Sequence, residues 1–222
     1  MRKAIHNATD HDPPPSPGVS SATITWLSQL EILPLTHGRL PDLAVLFGQG
    51  GDPKWCWCAS FRLRSADFTK SNPDLNRQVL EQAVATTALE HRAPGLIGYR
   101  DSEPIGWVSL GPRDDYERLK HSRLLAPLDD EEVWSIVCFV VSRHHRREGV
   151  ASALLEAAVD YARRHGALRL EAYPVETDGN RIPSANVYMG TLGMFERAGF
   201  EVVERRRATT TSVARPIVRR TL

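Results

Sequence analysis

The sequence predicts a mixed α/β fold, and three observations carry that reading. Short apolar runs alternate with amphipathic helical patterns along most of the chain. The most apolar run, Val133 to Val141, is hydrophobic on both faces, as a strand in the middle of a sheet is. The chain then closes on two β-rich runs that follow the last helical pattern.

Taken in order, residues 1–24 read as a disordered extension. Pro13-Pro14-Pro15-Ser16-Pro17 removes amide donors there, and few large apolar groups are present to fold the segment. From residue 25 to 222 the pattern is that of one domain. Leu30, Ile32 and Leu35 suggest a first strand, and Leu40, Leu43, Leu46 and Phe47 a helix that stops at Gly48 to Gly51. Asn72-Pro73 opens a long helix, the asparagine as cap and the proline at the first helical position, where its missing N–H does no harm. Leu96 to Arg100 and Ile105 to Leu110 form a hairpin across Asp101-Ser102-Glu103-Pro104. A charged connector, Arg113 to Asp130, leads to the central strand. A helix over about 148–164 follows it, then a strand over 168–175, a short helix over about 190–197, and a closing antiparallel pair built from 200–203 and 212–218.

Composition excludes several classes. Twenty-eight Lys plus Arg against 27 Asp plus Glu leave a formal charge of +1, so no global field draws the protein to nucleic acid or to a membrane surface. Three cysteines cannot all pair, which argues against a disulfide-built secreted fold. No apolar run approaches the ~20 residues of a membrane span, and the early charge of Arg2 and Lys3 has no apolar stretch behind it. A cytoplasmic protein is expected, with no nucleic-acid or membrane partner, as a monomer or a homodimer. The clustered arginines near the end, Arg205 to Arg207, Arg215, Arg219 and Arg220, have no interleaved aromatics to stack bases and read as charged strand edges.

Chemistry concentrates after the central strand. Arg146, Arg147, Glu148, Gly149, Val150, Ala151 and Ser152 run from a loop straight into a helix. A helix start leaves unpaired N–H groups aimed at one point and carries partial positive charge, which suits a phosphate or pyrophosphate. Gly149 keeps a Cβ out of the way, and Arg143, His144 and His145 add cationic donors. The chain has neither GxxxxGK[ST] nor GxGxxG, so this is not a Walker loop or a dinucleotide fingerprint.

Arg146-x-x-Gly149-x-Ala151 resembles the acetyl-coenzyme A signature of the GNAT superfamily of N-acetyltransferases, and Phe195-Glu196-Arg197-Ala198-Gly199-Phe200 is similar to a later element of that family. The order of elements matches over roughly residues 28–222. The resemblance implies a central mixed sheet splayed between its fourth and fifth strands and flanked by helices. It also implies acetyl-CoA as cosubstrate, with no metal. The pantetheine arm would lie along the backbone of Phe139, Val140 and Val141, and the pyrophosphate on the amides of Arg147 to Ser152. The implied reaction is direct attack of a primary amine, on a small molecule or a peptide, on the acetyl thioester.

One departure matters for mechanism. The tyrosine that often serves the family as general acid falls on Phe195, which has no proton to give, and the asparagine often found seven residues earlier falls on Tyr188. Tyr188 is therefore a candidate acid. Glu171 and Tyr173, two apart on one strand face, are a candidate base and acid. The absence of the usual acid also leaves open a non-catalytic acyl-CoA sensor on the same fold. In Trp55-Cys56-Trp57-Cys58 the two thiols fall short of the four ligands of a structural zinc site, so no metal is expected. The two indoles are read as walls of the amine site, where a ring face attracts a cation.

Overall fold

The structure, a computed structural model, describes residues 30–177, 182–183, 186–210 and 212–222. The expected extension over 1–24 lies outside them. Among the described residues a seven-stranded sheet runs in the order β1-β2-β3-β4-β5-β7-β6. Its strands are β1 (Glu31–Pro34), β2 (Gly95–Arg100), β3 (Glu103–Pro112), β4 (Trp134–Val141), β5 (Arg169–Ala172), β6 (Glu201–Arg206) and β7 (Arg215–Thr221). β4 and β5 are parallel, and every other neighbouring pair is antiparallel.

Helices cover both faces, and each face has its own core. On one lie α1 (Leu40–Gly48), the short α2 (Asp52–Cys56), α3 (Ala59–Arg62) and α4 (Ser65–Phe68), the long α5 (Pro73–Leu89) and α6 (Glu117–His121). Phe47, Phe61, Leu80, Tyr116 and Leu119 from this layer pack on Ile97, Trp107, Val137 and Tyr173 of the sheet. On the other face lie α7 (Val150–Arg164) and α8 (Leu192–Arg197). Leu154, Leu155, Ala158, Val159 and Phe195 there meet Ile105, Val108, Ile136 and Phe139. Such alternation along strands covered on both sides accounts for their near-continuous hydrophobicity. Asn72 does cap α5, its side chain accepting from the Leu75 amide at 2.9 Å, with Pro73 at the first helical position.

Several boundaries shift for physical reasons. The strand expected over 168–175 ends at Ala172, because Pro174 offers no amide; Val175 then makes one parallel bridge to Thr191. The helix expected from 148 starts at Val150, since Gly149 is left-handed with φ 85°. The Trp55–Cys58 stretch lies across α2 and the turn into α3, where consecutive left-handed residues, Trp57 and Cys58, break the chain into short helices. Among the described residues no helix is long and apolar enough to cross a membrane.

Candidate active site

The site begins where the two parallel strands part. β4 and β5 pair through Trp134–Leu170, Ser135–Glu171 and Ile136–Ala172, and no further. The register of β4 against β3 shifts at the next residue, Val137, which has no partner between Ile136 and Cys138. A bulge of this kind bends its strand and increases the local twist. It also puts two successive side chains, Val137 and Cys138, into the same core.

Main-chain polarity beyond the bulge follows from one bond. The Ser142 amide donates to the Ile105 carbonyl at 2.9 Å on the β3 side. Amides alternate sides along a strand, so Val140 also faces β3, while Phe139 and Val141 face the parted edge. Phe139 uses its amide there, donating to the Tyr188 carbonyl at 2.6 Å. This narrows the expected pantetheine edge. Val140 presents its main chain to the wrong neighbour, the Phe139 amide is taken by the chain itself, and Val141 keeps its main-chain groups toward the opening.

Next comes the loop. Ser142 leads into a 3-10 turn, Arg143–His145, and then two residues with left-handed backbone, Arg147 (φ 66°) and Gly149 (φ 85°). Alternating backbone hands fold successive N–H groups into a concavity suited to anions. No side chain caps the start of α7. The helix is held close to the sheet by Gly106 of β3, where a Cβ would come within 2.8 Å of Val150 and 2.9 Å of Leu154. Glu148, the one acid between Arg143 and Ser152, is tied away: Arg100 donates to its Oε2 at 2.9 Å, and His145 Nδ1 lies 3.1 Å from the same oxygen. The His145 bond and then Arg100 hold its carboxyl below the ordinary carboxylate range. At the mouth of the loop the Ser142 hydroxyl is buried with no hydrogen-bond partner.

Glu171 and Tyr173 do share a face, and they are bonded to each other. The Tyr173 hydroxyl donates to Glu171 Oε1 at 2.5 Å and lies 3.3 Å from the Ser135 hydroxyl. Arg219 Nε donates to Glu171 Oε2 at 2.8 Å, and Arg113 Nη1 stands 3.8 Å from that oxygen. Arg219 also grips Asp129 through both terminal nitrogens, at 2.6 and 2.8 Å. Glu171 is fully buried. Burial, then the Glu171 carboxylate, push the Tyr173 phenol well above its ordinary range. A carboxylate with both oxygens engaged and a phenol that holds its proton so tightly are poor proton-transfer groups. Their expected roles as base and acid give way to a structural one.

Tyr188 is different. It is half-buried, its carbonyl lies on the parted edge of β4, and its ring sits 6.2 Å from Phe61 with the Arg215 guanidinium 5.9 Å away. Phe195 is fully buried, 6.1 Å from Phe139 and 5.1 Å from Phe200, as packing. The two expected amine-site walls part company. Trp57 is 8% exposed and packs edge-on against Phe47 at 5.3 Å, with Arg77 over its other side, so it is core. Trp55 is 40% exposed and meets Phe68 at 4.9 Å. Among the described residues no group of three or more His, Cys, Asp or Glu is arranged to hold a metal ion. Two participants had no local signal in the sequence: Arg100, which reaches the loop from the β2–β3 hairpin, and Ser142, which reads only as the end of a strand.

A parted parallel pair feeding an uncapped, twice left-handed loop defines a class of proteins that hold an extended, diphosphate-bearing ligand at a sheet's centre. The acetyltransferase (GNAT) family model matches residues 57–194, well over half of the chain, and the chain belongs to that family. Solved structures agree in fold. A GNAT-family structure from Desulfovibrio desulfuricans aligns with a TM-score of 0.52 at 16% identity, covering 86% of this chain and 98% of that one. A GCN5-related N-acetyltransferase from Kribbella flavida gives 0.50 at 17%, covering 88% and 99%. The PaiA N-acetyltransferase of Thermoplasma acidophilum, solved in complex with coenzyme A, gives 0.50 at 14%, covering 87% and 99%. No curated protein sequence matches.

Proposed function

We propose that this protein, through one catalytic domain spanning residues 25–222, transfers an acetyl group from acetyl-CoA to a primary amine of a small molecule or peptide in the cytoplasm. The observation that carries the reading is the uncapped N-terminus of α7, placed at the end of β4 just beyond the point where β5 leaves it. The amides of Arg147 to Ser152 would hold the pyrophosphate, with Arg146 and Arg147 adding charge. The Val141 main chain and the Ser142 hydroxyl would meet the pantetheine. Two observations support the fit: the buried Ser142 oxygen lacks a protein partner, and the loop's one carboxylate is already neutralised by Arg100.

The cosubstrate supplies an activated acyl group, and the chain's task is to orient it and manage protons. The amine nitrogen forms the new bond to carbon as the carbon–sulfur bond breaks, and a proton must reach the departing sulfur. With Phe195 unable to give one and Tyr173 locked to Glu171, we assign that proton to Tyr188.

Calorimetry with acetyl-CoA tests the binding half. Wild type is expected to bind, and Gly149→Val to lose affinity at least tenfold while its thermal melt stays cooperative; equal affinity removes the loop from the site. Release of free thiol from acetyl-CoA across a panel of amines tests the transfer half. Tight binding without release for any amine would instead favour the sensor reading that Phe195 leaves open.

A further inference from the structure

The chain has three cysteines, at positions 56, 58 and 138, and the fold gathers all of them. The Cys56 thiol donates to the Cys58 sulfur, and the Cys58 thiol donates to the Cys138 sulfur. The Trp107 indole also donates to Cys58, at 3.3 Å. None is in a disulfide, Cys58 and Cys138 are buried, and Cys56 is half-exposed. Two irregularities produce this meeting. The β4 bulge turns Cys138 onto the same face as Val137, toward α2 and α3, where a regular strand would have sent it to the opposite face. The turn between α2 and α3 holds Trp57 (φ 46°) and Cys58 (φ 54°) in the left-handed region, which aims Cys58 inward. Strained backbone at two adjacent residues that are not glycine costs on the order of 1–3 kcal/mol each, and its persistence points to a role.

We propose that Cys58 and Cys138 are a reversible disulfide site, oxidised by hydroperoxides. Their sulfurs are already hydrogen-bonded, so little movement is needed to reach bonding distance. The chemistry balances in two steps. The Cys138 sulfur attacks one peroxide oxygen, the O–O bond breaks, and the thiol becomes a sulfenic acid with release of water. The Cys58 sulfur then attacks that sulfenic sulfur and expels a second water, the two thiol protons leaving in the waters. Cys56 is the link to solvent, donating to Cys58 and standing where small reductants can enter. Burial ordinarily keeps a cysteine inert; this pair differs in having a second thiol against the first and a third at the surface. The bond would tie the α2–α3 turn to β4 at the residue before Phe139. It is a modification site independent of whether the acyl-transfer reading holds.

The test uses the full chain under native conditions. The protein is exposed to hydrogen peroxide, remaining thiols are alkylated, and intact mass and non-reduced peptides are read. The expected result is a monomer lighter by two hydrogens with Cys58 linked to Cys138, reversed by dithiothreitol and still formed in Cys56→Ser. Three alkylated thiols overturn the proposal, and so does a Cys56–Cys58 link, an intermolecular dimer, or a sulfinic acid formed without a disulfide. Because the readout is mass on wild-type protein, acetyl-CoA binding measured on the same sample stands or falls separately.

Discussion

The two halves of β4 face opposite fates. Along the first half, Ser135 lies beside a neighbour strand whose polar side chains are saturated: Glu171 accepts from Tyr173 and Arg219, and Arg219 is shared with Asp129. Along the second half the neighbour is gone, and what remains are main-chain groups, a hydroxyl without a partner and a helix start without a cap. Both halves hold residues with catalytic chemistry. Only the second has valence to spare, and a group can act on a ligand only with a lone pair or proton not already committed to the fold. That contrast separates Glu171 and Tyr173 from Tyr188 better than residue type does.

The sharpest way to break the comparison is at Glu171. Glu171→Ala leaves Arg219, and Arg113 behind it, facing a buried void with their partner gone, a kind of change that costs about 3–5 kcal/mol. Denaturant unfolding should show that loss, while acetyl-CoA affinity in the still-folded fraction stays near wild type. A variant of wild-type stability with abolished turnover would return Glu171 to the role of base. Acid acts on the same cluster. Arg219 holds the Asp129 carboxyl below its ordinary value of 3.8. A depressed folded-state value means the contribution is fully present above that ordinary value and is lost as the pH falls toward and through the depressed one.

A paired substitution sharpens the comparison at the next level. Tyr173→Phe removes a donor from Glu171 and should destabilise by about 1–3 kcal/mol, with turnover on any amine found by thiol release little changed. Tyr188→Phe should leave the melt within experimental scatter and lower kcat by about 10²-fold, the lower range for a positioned proton donor. It should also remove one limb of the pH–rate profile. The opposite pattern, stability lost at 188 and kcat lost at 173, would invert the assignment.

The sequence was readable in one half of this contrast and opaque in the other, for a physical reason. The second half of β4 is a local arrangement: strand, turn, glycine and helix follow one another within residues 134–164, and main-chain amides do the binding whatever the side chains are. The ion cluster is assembled from a distance, Arg219 reaching Glu171 across 48 positions and Asp129 across 90. From the sequence, two polar residues on one strand face read as available chemistry. The indoles failed in a similar way: Trp57 became core because the chain turns left-handed there, a conformation that no glycine announces.

The smallest expected effect is also the most informative about the loop. Arg147 is not a glycine yet sits at φ 66°, so the fold holds it in a conformation that glycine adopts at no steric cost. Arg147→Gly relieves that strain and loosens the unfolded chain at the same time, so the net change in stability should be within about 1 kcal/mol and favourable if strain dominates. The same substitution deletes a guanidinium beside the proposed pyrophosphate, so acetyl-CoA affinity should fall by a few-fold and the fall should shrink as salt is raised. A protein that is no less stable but binds more weakly is the signature of a loop shaped for a ligand. If affinity is unchanged while stability drops, Arg147 serves the fold, and the anion-binding role contracts to the amides alone.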